Sequence, residues 1–151
     1  MEDLRIKTAL QIAKPGKIVF EAIVNPEKMS HYFISEGSDR MEEGKTVNWK
    51  FPEFPDMNIE VKVLETKKSE MILFEWEGSK DKILKVEIKL EERPGNQTLV
   101  RITESKMPPT EEGIIWLKRN TEGWANFLAC LKAYLEYDIN LRKGAFEFMK
   151  S

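Results

Sequence analysis

Leu4, Ile6, Thr8, Leu10 and Ile12 alternate with polar Arg5, Lys7 and Gln11, the period-two pattern of a strand with one face in a core. Pro15 stands where a first helical residue tolerates a missing N–H, and Ile18, Val19, Ala22 and Ile23 follow at helical spacing, which predicts a short helix. Asn25-Pro26 reads as an N-cap with a first-turn proline, opening a second short helix through Met29 toward Tyr32. Gly37 and Glu43-Gly44 then signal turns, and alternation returns in Val47, Trp49 and Phe51, a strand that Pro52 and Pro55 close. Ile59, Val61 and Val63 share one face of the next strand, and Ile72, Phe74 and Trp76 one face of another. After Gly78, Leu84, Val86, Ile88 and Leu90 line up, and Pro94-Gly95-Asn96 turns the chain into Val100, Ile102 and Glu104. These connections are too short for parallel crossovers, so the run is an antiparallel meander.

Pro108-Pro109 ends the sheet, and Thr110 caps a long helix that carries Glu111 and Glu112 in its first turn. Leu117, Thr121, Trp124, Leu128, Leu131 and Leu135 recur at steps of three and four, flanked by Phe127 and Tyr134, and this apolar stripe must cover something. The expected fold is α+β: a curved antiparallel sheet of about six or seven strands, two short helices after the first strand, and a long C-terminal helix across the concave face.

Composition narrows the function classes. The chain has 151 residues, 41% hydrophobic and 33% charged, with 4 Trp, 3 Tyr and 8 Phe, which predicts one folded domain over residues 1–151. A net charge of -2 with interspersed signs argues against nucleic acid and anionic membranes as partners. No apolar run approaches the about 20 residues of a membrane span, and the start MEDLRIKTALQIAK puts acids where an export signal is basic, so a cytoplasmic protein is expected. The Asn96-Gln97-Thr98 sequon carries no weight without such a signal. A single cysteine, Cys130, excludes an internal disulfide and cysteine-cluster zinc sites, and reads as a small buried thiol. Phosphate-cradling glycine patterns, a Gly-x-Ser-x-Gly elbow and a His-Glu-x-x-His helix do not occur, so neither a metal nor another cofactor is expected.

Candidate chemistry centres on the aromatics. Trp49, Phe51, Phe74 and Trp76 share inner strand faces and meet Trp124 and Phe127 from the helix, where they either line a ligand pocket or fill the core. Val100, Leu128 and Leu131 complete the candidate lining. Glu104 shares parity with Val100 and Ile102, so its carboxylate points inward unless the strand ends first, and an inward acid needs a hydrogen-bonding partner. It would anchor a polar group of a ligand or act as an acid. His31, the only histidine, has no nucleophile or metal-ligand set in sequence reach and reads as a solvent-facing helix residue. Lys67-Lys68, Lys80 and Lys82 read as a solvated rim at hairpin ends. Ile139, Leu141, Phe146, Phe148 and Met149 lie beyond the stripe. Segment 139–151 is therefore read as a lid, a homodimer contact or a helix end folded on its own domain.

Several strings resemble the START-like, or helix-grip, superfamily over nearly the whole chain. Lys14-Pro15, Val19-Phe20-Glu21-Ala22 and Asn25-Pro26-Glu27-Lys28-Met29 are similar to its opening helices. Phe74-Glu75-Trp76-Glu77, the strand Gln97 to Glu104, and Gly123-Trp124 with Phe127-Leu128, Leu131 and Tyr134-Leu135 resemble the branch named after the activator of the heat-shock protein 90 ATPase. The chain departs from that branch at Tyr32-Phe33, where the branch usually carries a tryptophan. The resemblance implies a pocket for an apolar or amphipathic small molecule, such as a lipid, between sheet and helix, and it implies no shared reaction. The leading expectation is non-catalytic ligand binding by the residues named above, with no catalytic residue. A chaperone-associated interaction domain is the second reading, and a polyketide cyclase- or hydratase-like enzyme using Glu104 with His31 or Tyr32 the third.

Overall fold

Alternation of apolar and polar residues builds one seven-stranded sheet in the structure, a computed structural model that describes residues 2–150. Its strands are β1 (Leu4–Ile12), β2 (Glu36–Gly37), β3 (Thr46–Phe51), β4 (Phe54–Lys67), β5 (Met71–Ser79), β6 (Lys82–Arg93) and β7 (Gln97–Met107). Helices α1 (Gly16–Val24) and α2 (Pro26–Met29) follow β1, and α3 (Glu111–Tyr137) follows β7. The strand order is β1-β7-β6-β5-β4-β3-β2, antiparallel throughout. The meander is thus the expected one, and β1 closes it by pairing with β7, Ile6 opposite Glu104. This α+β arrangement, a curved sheet gripped by a long helix, agrees with the sequence reading.

Caps and turns fall where the residue types require. The Asn25 side chain accepts from the backbone N–H groups of Glu27 and Lys28, and Thr110 accepts from Gly113 N–H. Gly95 and Asn96 both adopt positive φ, 80° and 57°, at the β6–β7 hairpin.

Four local expectations need correction. Pro15 is the N-cap of α1 in extended conformation, with ψ 157°, rather than its first helical residue. Gly37 belongs to the two-residue strand β2 on the sheet edge and is not merely a turn. Pro55 lies inside β4, near the hairpin where Phe51 pairs with Phe54; a proline is tolerated there because the ladder is already irregular. The helix stripe begins on a neighbouring face: Trp116 is buried and Leu117 only half-buried, because α3 turns Leu117 and Thr121 toward the β1 edge. From Trp124 onward the stripe is as expected, with Trp124, Phe127, Leu128 and Leu131 buried.

After Tyr137 the chain leaves the helix through Asp138, left-handed at φ 53°. Among its described residues, the tail that follows has no regular structure beyond a 3-10 turn at Glu147–Met149. Ile139, Leu141, Phe148 and Met149 remain exposed, so most of its apolar side chains are not buried by the domain. Met1 and Ser151 lie outside the described residues. Among the described residues, no helix is long and apolar enough to cross a membrane.

Candidate functional site

Strand register assembles the interior. Trp49 lies opposite Ile59, Val61 opposite Trp76 and Val63 opposite Phe74, so the inward rings of β3 and β5 meet across β4. Trp49 sits 5.7 Å from Phe74 and 6.2 Å from Trp76, centroid to centroid, both edge to face. From α3, Trp124 reaches Trp76 at 5.4 Å and Phe127 lies 5.4 Å from Trp124. Phe33, from the segment after α2, is the hub: its ring is 4.8 Å from Phe127, 5.0 Å from Phe51 and 5.6 Å from Trp49. Such edge-on pairs contribute about 0.5–1.5 kcal/mol each beyond area burial. The structure therefore brings together Trp49, Phe51, Phe74, Trp76, Trp124 and Phe127 as one aromatic cluster, with Val100, Leu128 and Leu131 in the same buried core. In this state the rings themselves occupy the interior. Two surface depressions lie elsewhere: an open groove of about 690 Å³ between β1 and α3, floored by Ile6 and Leu117, and another on the outer face of β1, β6 and β7.

Glu104 is fully buried at the β7 end of this interior. Its Oε1 accepts from Trp124 Nε1 at 2.7 Å, and its Oε2 from Trp116 Nε1 at 3.1 Å and Trp76 Nε1 at 3.2 Å. Asn120 Nδ2 donates to both oxygens, at 3.3 and 3.2 Å, and to the Gly78 carbonyl at 2.9 Å. Every neighbour is a donor, the pattern that satisfies an acceptor-only carboxylate. A side chain at position 78 would intrude on Glu104 Oε2, Leu84 and Trp76 Nε1, so the close packing of this network requires glycine there.

His31 and Tyr32 are not brought to Glu104. His31 is exposed, pairs with Glu27 at 3.0 Å and stacks on Tyr134. The Tyr32 hydroxyl donates to the Ala22 carbonyl at 2.8 Å, and burial pushes its phenol well above the usual range. Burial also raises the Cys130 thiol, an effect that the Arg142 charge only partly offsets. Lys67, Lys68, Lys80 and Lys82 are exposed near hairpin ends.

At the opposite end, the aromatic cluster is covered by the tail. The Arg142 guanidinium lies 5.3 Å from the Phe51 ring, 5.8 Å from Phe33 and 4.6 Å from Phe146 of the tail itself. Its Nη2 donates to Glu53 Oε1 at 2.6 Å, and its Nε is buried with no hydrogen-bond partner among the described residues.

Sequence reasoning missed Trp116, Asn120, Phe33, Glu53 and Arg142. The four-residue spacing of Trp116, Asn120 and Trp124 marks one helix face and would have exposed the first two. Phe33 sits outside any periodic element, and Arg142 meets Glu53 across 89 residues, a contact that no local pattern signals.

Comparison with known proteins places this geometry. Residues 14–136 match the family model described as Activator of Hsp90 ATPase homolog 1-like protein. The crystal structure of protein SSP2350 from Staphylococcus saprophyticus is 32% identical, with 92% of this chain and 96% of that one covered and a TM-score of 0.80. The Aha1 dimer from Colwellia psychrerythraea, at 20% identity, covers 89% and 97% with a TM-score of 0.74. PFC0360w from Plasmodium falciparum, described as an HSP90 activator, is 18% identical over 87% and 96%, with a TM-score of 0.71. A search of curated proteins finds no match.

Proposed function

The chain belongs to the Activator of Hsp90 ATPase homolog 1-like family, and from that premise we propose that it binds an apolar or amphipathic small molecule between β3–β5 and α3, without catalysis. The observation that carries this reading is how the aromatic interior is closed. At one end Glu104 is tied to β5 and α3 by four N–H donors. At the other end, Phe33 and Phe51 are covered by irregular chain whose Arg142 Nε has no partner among the described residues. A cover of that kind opens at small cost compared with a helix or a strand, because few regular hydrogen bonds hold it. The rings beneath it offer the wide apolar faces of a ligand site, with the Glu104 carboxylate at its closed end. The third reading lacks comparable support, since the polar groups of His31 and Tyr32 are engaged away from Glu104.

Native mass spectrometry of the purified protein, followed by the same sample denatured, tests the proposal. A small molecule retained by the folded chain and released on denaturation supports it. Trp76→Phe, which keeps a ring, should then weaken retention more than it lowers stability. A bare chain mass, with no mass gained on incubation with a saturated or unsaturated C16 fatty acid or with decanol, counts against it.

A chaperone-directed role is a second reading, favoured by the family description and by the adjacent exposed Ile114 and Ile115 on α3. The ATPase rate of purified Hsp90 with and without the chain decides that reading.

A further inference from the structure

We propose that Glu53, whose bound guanidinium lies over the Phe33 and Phe51 rings, is a receptor for a cationic head group, filled in this state by the chain's own Arg142. The ligand is accordingly an amphiphile with a guanidinium or ammonium end. This inference rests on the ligand-binding reading above and specifies the ligand's chemistry.

Glu53 occupies the two-residue connection between β3 and β4, a position that normally faces solvent, yet it is only 8% exposed. Its side chain bonds to Arg142, the two side chains being 5% and 17% exposed. A carboxylate taken out of water needs a cation or donors, and guanidinium over aromatic faces adds cation–π attraction. Arg142 supplies both, but imperfectly: it donates to Glu53 through Nη2 while Nε is buried without an acceptor. Its segment is weakly anchored, since Ile139, Leu141, Phe148 and Met149 remain 48–80% exposed. Arg142 therefore behaves as an internal stand-in for a ligand cation. A free ligand can orient its head group without the constraint of the chain, and its apolar body then follows Phe33 toward Phe127 and Trp124.

Decylguanidinium, decanol and decyl sulfate, one tail with three charges, test this at concentrations below micelle formation, with binding read by tryptophan fluorescence and by native mass. The variants are Arg142→Gln and Glu53→Gln, each checked for an unchanged circular dichroism spectrum; Arg142→Met, which keeps the apolar stem and removes the charge, replaces Arg142→Gln if that variant does not fold. In the wild type, decylguanidinium should bind about tenfold more tightly than decyl sulfate, the scale of one charge-assisted pair. Arg142→Gln should tighten decylguanidinium further by removing its competitor, and Glu53→Gln should erase the charge preference. Equal binding of all three probes in every variant overturns the cation receptor while leaving the ligand-binding reading intact. Absence of binding by any probe, in Arg142→Gln as well as in the wild type, overturns both. A doubled mass in the wild type that Arg142→Gln abolishes assigns the receptor to a second copy's tail and overturns the small-molecule claim.

Discussion

Glu104→Gln keeps the shape of the buried side chain but turns one acceptor oxygen into an NH2 donor. If the amide oxygen takes the Oε2 position, it still serves Trp116, Trp76 and Asn120, while the NH2 faces Trp124 Nε1, now 2.7 Å from a second donor. If it takes the Oε1 position, Trp116 and Trp76 are confronted instead. Either way at least one buried indole N–H and one amide hydrogen pair lose their partners, at about 1–3 kcal/mol for each orphaned group. Relief of the charge's own burial offsets part of this, so a net loss of about 2–4 kcal/mol is expected. Urea unfolding followed by tryptophan fluorescence reads it directly, and with a slope of about 2 kcal/mol per molar the midpoint should fall by about 1–2 M. A double-mutant cycle separates hydrogen bonding from packing. Trp116→Phe should destabilise the wild type but cost less, or even stabilise, in a Glu104→Leu background, where the indole N–H has already lost its acceptor. The same cost in both backgrounds, or a Gln variant within about 0.5 kcal/mol of wild type, would refute the idea that these bonds hold the interior together.

Other expectations rest on separate contacts. Gly78→Ala pushes a methyl into Glu104, Leu84 and Trp76, and overpacking of about 1–3 kcal/mol should lower the melting temperature by about 3–10 °C, as read by calorimetry. Tyr32 is held neutral by burial; with the folded phenol above the unfolded one, its contribution to stability is complete below about pH 10 and is lost as pH rises through the folded value. Wild type should therefore lose more stability than Tyr32→Phe between about pH 10 and 11.5 in parallel denaturant titrations, and parallel curves would remove Tyr32 from the account. Cys130, buried and raised, should react with a disulfide reagent at pH 8 about a hundredfold more slowly in the folded protein than in urea; comparable rates would mean that the helix face is open.

The parts of the molecule that sequence made legible are those governed by local period. Val100, Ile102 and Glu104 share a parity, and that parity alone points the Glu104 carboxylate inward, where it is found. Thr110 and an apolar stripe mark helix α3, but the apolar count runs through Leu117 and Thr121, because asparagine at position 120 interrupts it on the inner face. Asn120 is on the inner face for a polar reason, as a donor to Glu104 and Gly78, and no hydrophobicity count can find it. The Glu53–Arg142 pair was illegible for another reason: a hairpin glutamate and a tail arginine each look like ordinary surface charges. Only the folded path that lays residue 142 over residues 33 and 51 gives them a shared environment.

The two acids buried in this domain are held in opposite ways, and the contrast locates where the grip can move. Glu104 is held by donors on β5 and α3, so releasing it means disturbing sheet and helix together. Glu53 is held by a residue on irregular chain, one whose guanidinium is incompletely satisfied. Because local opening follows the least-bonded segment, the interior should open at the Arg142 end while the Glu104 end stays closed. Hydrogen exchange has to show that gradient: amides of β7 and the first half of α3 should be the slowest, and those after Asp138 the fastest. Equal protection at the two ends would mean that the tail is an integral wall, and the aromatic cluster would then be a core alone.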